Sequence, residues 1–225
     1  MKRSERLVCN EDLLKRIRSN LQRFPIQRQD GKGLKRAAVA ITVVDVAAGS
    51  GVYGMSADGI SSDDAALVLT RRSMELKHHA GQWALPGGSV EDGEGPDETA
   101  LRELAEEVGL TLPHENVIGR LDDFVTRSRF VITPVVVWAG PGVDMKPNPA
   151  EVRAIHRIPV AEFMREDAPL LEETPEGKHP ILCMPVGNSW IAAPTAALLY
   201  QFREVAILGK ETRVAHYEQP FFAWR

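Results

Sequence analysis

Cysteine is nearly absent: the chain carries two, Cys9 and Cys183, among 225 residues. Two sulfurs so far apart in sequence build no disulfide framework. Without several histidines in support they make no four-ligand zinc site either, and a reducing, cytoplasmic setting is the expectation. No window approaches the roughly 20 apolar residues of a membrane span, and the opening run MKRSERLVCNEDLLKR lacks the apolar stretch of a secretory leader. A basic excess is missing as well. With 27 Lys and Arg against 31 Asp and Glu, the net charge is −4, which argues against a nucleic-acid partner and for a small-molecule one. Internal repeats and low-complexity tracts do not occur. What is there, 44% hydrophobic and 26% charged residues, is the profile of a soluble globular chain, and the length suits a single core with extensions at both ends.

Residues 11–23, EDLLKRIRSNLQR, place Leu13, Leu14, Ile17 and Leu21 at helical spacing behind Asn10, a potential cap. A polar linker follows, then a buried strand, KRAAVAITVVDV, and a second strand, AALVLTRRS, after a Gly- and Ser-rich region over 49–63. WALPGG ends a third extended piece. A helix is predicted over about 97–109, stopped by Gly109. Strand-like runs come next at NVIGRLDDFV, RFVITPVVVWAG and VRAIHRIPV, and a last helix covers about 194–205. Strands with helices at intervals predict an α+β chain, with a sheet sandwiched between helices. The expected organisation is an N-terminal helical extension (1–34), one main domain (35–207) and a C-terminal tail (208–225). That tail crowds Tyr217, Phe221, Phe222 and Trp224 together, so it is expected to pack on the core or across a homodimer.

The predicted helix over 97–109 raises an electrostatic question. At 100° per residue, Leu101, Leu104, Ala105 and Val108 fall on one face and Glu103, Glu106 and Glu107 on the opposite one. An acidic face can simply be solvated. Carboxylates at i, i+3 and i+4 are also hard oxygen ligands of the kind magnesium or manganese takes, and a divalent cation cancels their repulsion. The glycines just upstream leave room for backbone oxygens to approach the same ion.

The wider array is Gly88, five residues, Glu94, seven residues, then Arg102, Glu103, Leu104, Ala105, Glu106, Glu107, Val108, Gly109 and Leu110. It matches the Nudix box at every fixed position, and the chain resembles the Nudix hydrolases. The resemblance implies a mixed-sheet α/β/α sandwich, a Mg²⁺ or Mn²⁺ cofactor, and attack of water on a nucleoside diphosphate joined to another moiety. Carried over by position, Glu106 and Glu107 become metal ligands, Glu103 a further ligand or base, and the Gly88 carbonyl a backbone ligand. Glu94 and Arg102 become a bracing ion pair. The general base differs among family members and sometimes lies outside the box; Glu151, after the turn KPNPAEV, is the candidate here.

The stretch VLTRRSMELKHHAGQWALPGG, residues 68–88, further resembles the signature of the coenzyme A pyrophosphatases within this superfamily. Leu69, Thr70, Arg72, Ser73, Gly81, Pro86, Gly87 and Gly88 match; Val68, Lys77 and Leu85 replace leucine, arginine and phenylalanine. Farther on, Ile191, Thr195 and Ala196 agree with the same subfamily. The implied substrate is coenzyme A or acyl-coenzyme A, with another nucleoside diphosphate derivative or a non-catalytic nucleotide-binding module as the alternatives. Its phosphates call for cations beyond the metal, and Arg71, Arg72 and Lys77, beside Ser73, are the candidates. His78 and His79 read as ordinary loop histidines, whereas Trp83 fits either a core position or a stacking platform.

Overall fold

The computed structural model describes residues 6–47, 54–55, 59–76, 79–173 and 178–220. Helix α1 (Glu11–Arg23) begins where Asn10 Oδ1 accepts the Asp12 and Leu13 amides at 3.1 Å each, and it buries Leu13, Leu14, Ile17 and Leu21. The strands that follow are β1 (Lys35–Asp45), β2 (Ala65–Arg72), β3 (Trp83–Ala84) and β4 (Gly87–Ser89). After α2 (Pro96–Val108) come β5 (Val117–Arg120), β6 (Phe124–Val125), β7 (Phe130–Gly140) and β8 (Val152–Pro159). A short α3 (Val160–Phe163), then β9 (Leu170–Glu172), β10 (Ile181–Val186) and β11 (Ser189–Ala192), lead into α4 (Thr195–Phe202). No described helix is long and apolar enough to cross a membrane.

The main sheet runs β3-β2-β1-β7-β5, with β4 also paired to β1, β6 to β7 and β8 to β2. Strands β1 and β7 are parallel and the other described pairings antiparallel, so the sheet is mixed. Alternation along buried strands sends side chains to two cores. Ala38, Ala40, Val44, Val68, Val135 and Val137 pack with Ala100, Leu104 and Val108 of α2. On the other face, Ile41, Val43, Leu67, Leu69 and Val136 pack with α1 and α4. This is the expected α+β, α/β/α arrangement.

Two local expectations are corrected, and one sheet was not foreseen. The run NVIGRLDDFV is two strands, because Asp122 and Asp123 are buried at its middle and bind other chain segments instead of continuing the ladder. The last helix stops as an α-helix at Phe202 and continues as a π-helical turn, Arg203–Ile207. A separate sheet, β9-β10-β11, occupies residues that carry no clear strand signal. Of the C-terminal aromatics, Tyr217 packs on the core beside Tyr200, and Phe221, Phe222 and Trp224 lie outside the described residues.

Candidate active site

The site begins where β4 lies against β1, with Gly87 opposite Val39 and Gly88 opposite Ala38. A Cβ on Gly87 would stand 2.4 Å from the Ala38 carbonyl oxygen and 2.7 Å from Val39 Cα, so only glycine lets the two backbones approach this closely. A Cβ on Gly88 would stand 2.0 Å from Glu103 Oε1. The β4 backbone therefore touches the carboxylate of α2 directly. Pro96 starts α2, Glu98 accepts the Gly95 amide at 3.1 Å, and Gly109 closes the helix in the left-handed conformation at φ 69°.

Glu103, Glu106 and Glu107 do not share a solvent face, contrary to the helical-wheel expectation. Glu103 and Glu107 are buried, and the Glu106 side chain is 52% exposed. At 100° per residue Glu107 lies between Glu103 and Leu104, so docking Leu104 against the sheet carries both carboxylates inward. Arg102 binds around them. Its Nε and Nη2 donate to the two oxygens of Glu94 at 2.8 and 3.2 Å, and its Nη1 donates to Glu103 at 2.9 Å and Glu106 at 3.0 Å. Thr99 also donates to Glu94, at 2.8 Å. The Arg102 hydrogen bonds, helped by Thr99, hold the Glu94 carboxyl at about 2.

Burial pushes Glu107 the other way, up to about 8, with the charges of Glu103 and Glu151 adding to the rise and Arg72 opposing it. Glu103 is raised too, first by burial and then by Glu106 and Glu151, against the Arg102 bond. Glu151 lies far from the box in sequence. The turn at 148–151 brings it there: the Asn148 amide donates to the Glu107 carbonyl, the Ser73 amide donates to the Glu151 carbonyl at 2.7 Å, and Asn148 Nδ2 donates to a Glu151 carboxylate oxygen at 3.4 Å.

A cavity of about 550 Å³ opens beside this cluster, and its walls include Arg71, Arg72, Trp83, Gly87, Gly88 and Ser89. Arg71 stacks its guanidinium 4.0 Å from the Trp83 ring centroid and donates to the Gly81 carbonyl at 3.0 Å. Trp83 is only 8% exposed and meets His156 edge-on at 4.9 Å. Ser73 is buried, and its hydroxyl accepts the Glu75 amide at 3.3 Å. His79 and Gln82 pair at 3.2 Å on the cavity wall, while Lys77 and His78 lie outside the described residues.

Residues 53–180 match the family model of the NUDIX domain. The chain belongs to the Nudix family. The Nudix hydrolase NudL of Photorhabdus laumondii, itself described as uncharacterized, is 40% identical over 99 residues, covering 44% of this chain and 53% of that protein. Its counterpart from Pectobacterium atrosepticum is 34% identical over 138 residues, or 60% and 72% of the two chains. The first of these matches thus spans about half of the relative's length. A MutT/nudix family protein from Enterococcus faecalis aligns over 71% of this chain and 51% of that one, with 16% identity and a TM-score of 0.46.

Nudix hydrolases generally use a divalent cation, and the donors of this Nudix box suit one. They are all oxygens, the ligand type that magnesium and manganese take. Glu103 and Glu107 are desolvated and each feels neighbouring negative charge, a state that a cation relieves. The Gly88 backbone lies against Glu103 where a side chain would intrude. Among the described residues no three carboxylates or imidazoles converge on one point in this arrangement, in which Arg102 Nη1 bridges Glu103 and Glu106.

Sequence reasoning missed the far wall of the cavity. Thr126 and Ser128 come from the β6–β7 turn, Phe130 from the start of β7 and Trp190 from β11. Trp190 directly precedes Ile191, one of the positions that agree with the coenzyme A subfamily, but nothing in that match distinguishes an exposed indole from a core one.

Proposed function

We propose that this chain hydrolyses the diphosphate linkage of coenzyme A or an acyl-coenzyme A, yielding 3',5'-adenosine diphosphate and 4'-phosphopantetheine or its acyl form. The observation that carries the reading is that Gly87, Gly88, Arg71 and Arg72 line one cavity, and that Gly88 lies against the buried Glu103. Glu103, Glu106, Glu107 and the Gly88 carbonyl would hold Mg²⁺ or Mn²⁺. When bound, the cation neutralises diphosphate oxygens and lowers the pKa of a water.

The rest falls to the chain's own groups. Glu94, kept ionised by its fork of bonds from Arg102, anchors that guanidinium and thereby the start of the acidic row. Arg72 lines the cavity and its charge acts on Glu107, which suits it to draw the diphosphate toward the carboxylates. Arg71 supports the same end of the cavity from its stack on Trp83. Glu103, or Glu151 at the neighbouring turn, accepts the proton of the attacking water.

The test is a panel of diphosphates: coenzyme A, acetyl-coenzyme A, ADP-ribose, a dinucleotide and an oxidised nucleotide, each with and without magnesium, with products identified by mass. Cleavage fastest with the coenzyme A compounds is expected. Indifference to them with turnover of another member would move the assignment to that substrate. No metal-dependent turnover of any would end the enzymatic reading.

A further inference from the structure

Trp190 stands apart among the tryptophans. Of the three described, Trp83 and Trp138 are buried at 8% and 9% exposure, whereas Trp190 is 45% exposed and lies on the cavity wall. The hairpin explains the difference. Ile191 pairs with Met184 across β10–β11 and sends its side chain into the core, at 2% exposure, so the preceding residue is turned to the other face of the ribbon. Pro185 faces Trp190 across the ladder. The indole is thus a large apolar surface kept at the rim by a strand whose neighbours are locked in the core.

From this we infer that Trp190 is a specificity-determining residue, the platform on which the planar base of the nucleoside half of the substrate stacks. The polar groups around the cavity fit that occupant. Gln82, Ser128 and Thr195 are neutral hydrogen-bonding side chains on its wall, able to read base edges, and the cations Arg71 and Arg72 lie with Gly87 and Gly88 where phosphate is expected. A flexible alkyl or pantetheine arm has no planar ring to stack on the indole. The inference rests on the diphosphate-hydrolase reading for the identity of the ligand, but not for its test.

The experiment measures binding of adenosine 5'-monophosphate, ribose 5-phosphate and 4'-phosphopantetheine to the unmodified chain, Trp190→Ala and Trp190→Phe, by calorimetry. The intact fold of each variant is checked by thermal melting. Adenosine monophosphate affinity should fall about tenfold or more in the alanine variant, as expected for a lost base–aromatic stack, and recover to within a few-fold in the phenylalanine variant. Ribose 5-phosphate affinity should not change. In turnover of the preferred substrate, KM should rise with kcat nearly constant. Equal losses for the base-bearing and base-free phosphates, equal losses in both variants, or a loss confined to 4'-phosphopantetheine would each overturn the assignment. Because the binding arm needs no hydrolysis, a chain that cleaves nothing could still confirm the stack, and an active chain could still refute it.

Discussion

Two adjacent glycines separate the folding role of β4 from its role in the site. In Gly88→Ala the new Cβ would lie 2.0 Å from Glu103 Oε1, 2.6 Å from its Cδ and 3.0 Å from Oε2. Every one of those atoms is the far end of a flexible side chain, so the fold yields cheaply by moving the carboxylate more than an ångström. We expect a stability loss under about 1 kcal/mol, a Tm shift of no more than about 2–4 °C for a chain this long. Glu103 then loses its place beside Gly88 and its 2.9 Å bond from Arg102, and displacement on this scale costs catalysis on the order of 100-fold. In Gly87→Ala the Cβ meets the Ala38 carbonyl oxygen at 2.4 Å and Val39 Cα at 2.7 Å, which are backbone atoms of the central strand. That variant should lose about 3 kcal/mol or fail to fold. The assay pairs thermal melts with magnesium-dependent cleavage of the substrate identified by the panel. A Gly88→Ala variant with native rate and native stability would refute the placement of Glu103.

Other expectations follow from the same geometry. Glu107→Gln should raise the Tm at neutral pH while abolishing cation binding, because a carboxyl that burial and Glu103 push up to about 8 must take up a proton on folding and the amide need not, yet the amide leaves an oxygen for the Gly87 amide; a destabilised variant in differential scanning calorimetry at pH 7 would contradict this. Glu94 has its pKa lowered from 4.5 to about 2, so its contribution is complete above pH 4.5 and lost as pH falls toward 2. Urea melts of Glu94→Gln should therefore show a deficit of about 1–3 kcal/mol at pH 7 that begins to shrink below about pH 4.5; a deficit independent of pH would count against the ion pair. Asp122 is 4% exposed and accepts from the Gln27 amide at 2.7 Å, Gln201 at 2.8 Å and Arg213 at 2.7 Å. Asp122→Ala removes the counter-charge of Arg213 and the acceptor of the Gln27 amide and should cost about 3–5 kcal/mol in denaturant melts.

Much of this could be read from the letters. Asn10 and the spacing of Leu13, Ile17 and Leu21 identify α1, and the glycines flanking the acidic helix bound α2. The box identifies the carboxylates but not their exposure. A helical wheel sorts Glu103 and Glu107 with Glu106, whereas tertiary contact through Ala100, Leu104 and Val108 draws the first two inward. The β9–β11 sheet was not legible, because ILCMPV is a short apolar run that suits helix or strand equally and contains a proline. Its loss hid Trp190, whose exposure follows from pairing register rather than residue type. Likewise the nearness of Glu151 to Glu103 and Glu107 depends on the bonds from Asn148 and Ser73 that fold the 148–151 turn against α2.

The central expectation is that Glu103, Glu106 and Glu107 of α2 together hold a divalent cation. Manganese titrated into the metal-free protein, followed by the electron spin resonance of the free ion, asks that question without any substrate. The account requires saturable binding by the unmodified chain and a large loss of affinity in Glu106→Gln, whose exposed side chain leaves the fold unchanged. Absence of saturable binding, or equal binding by both proteins, would contradict it.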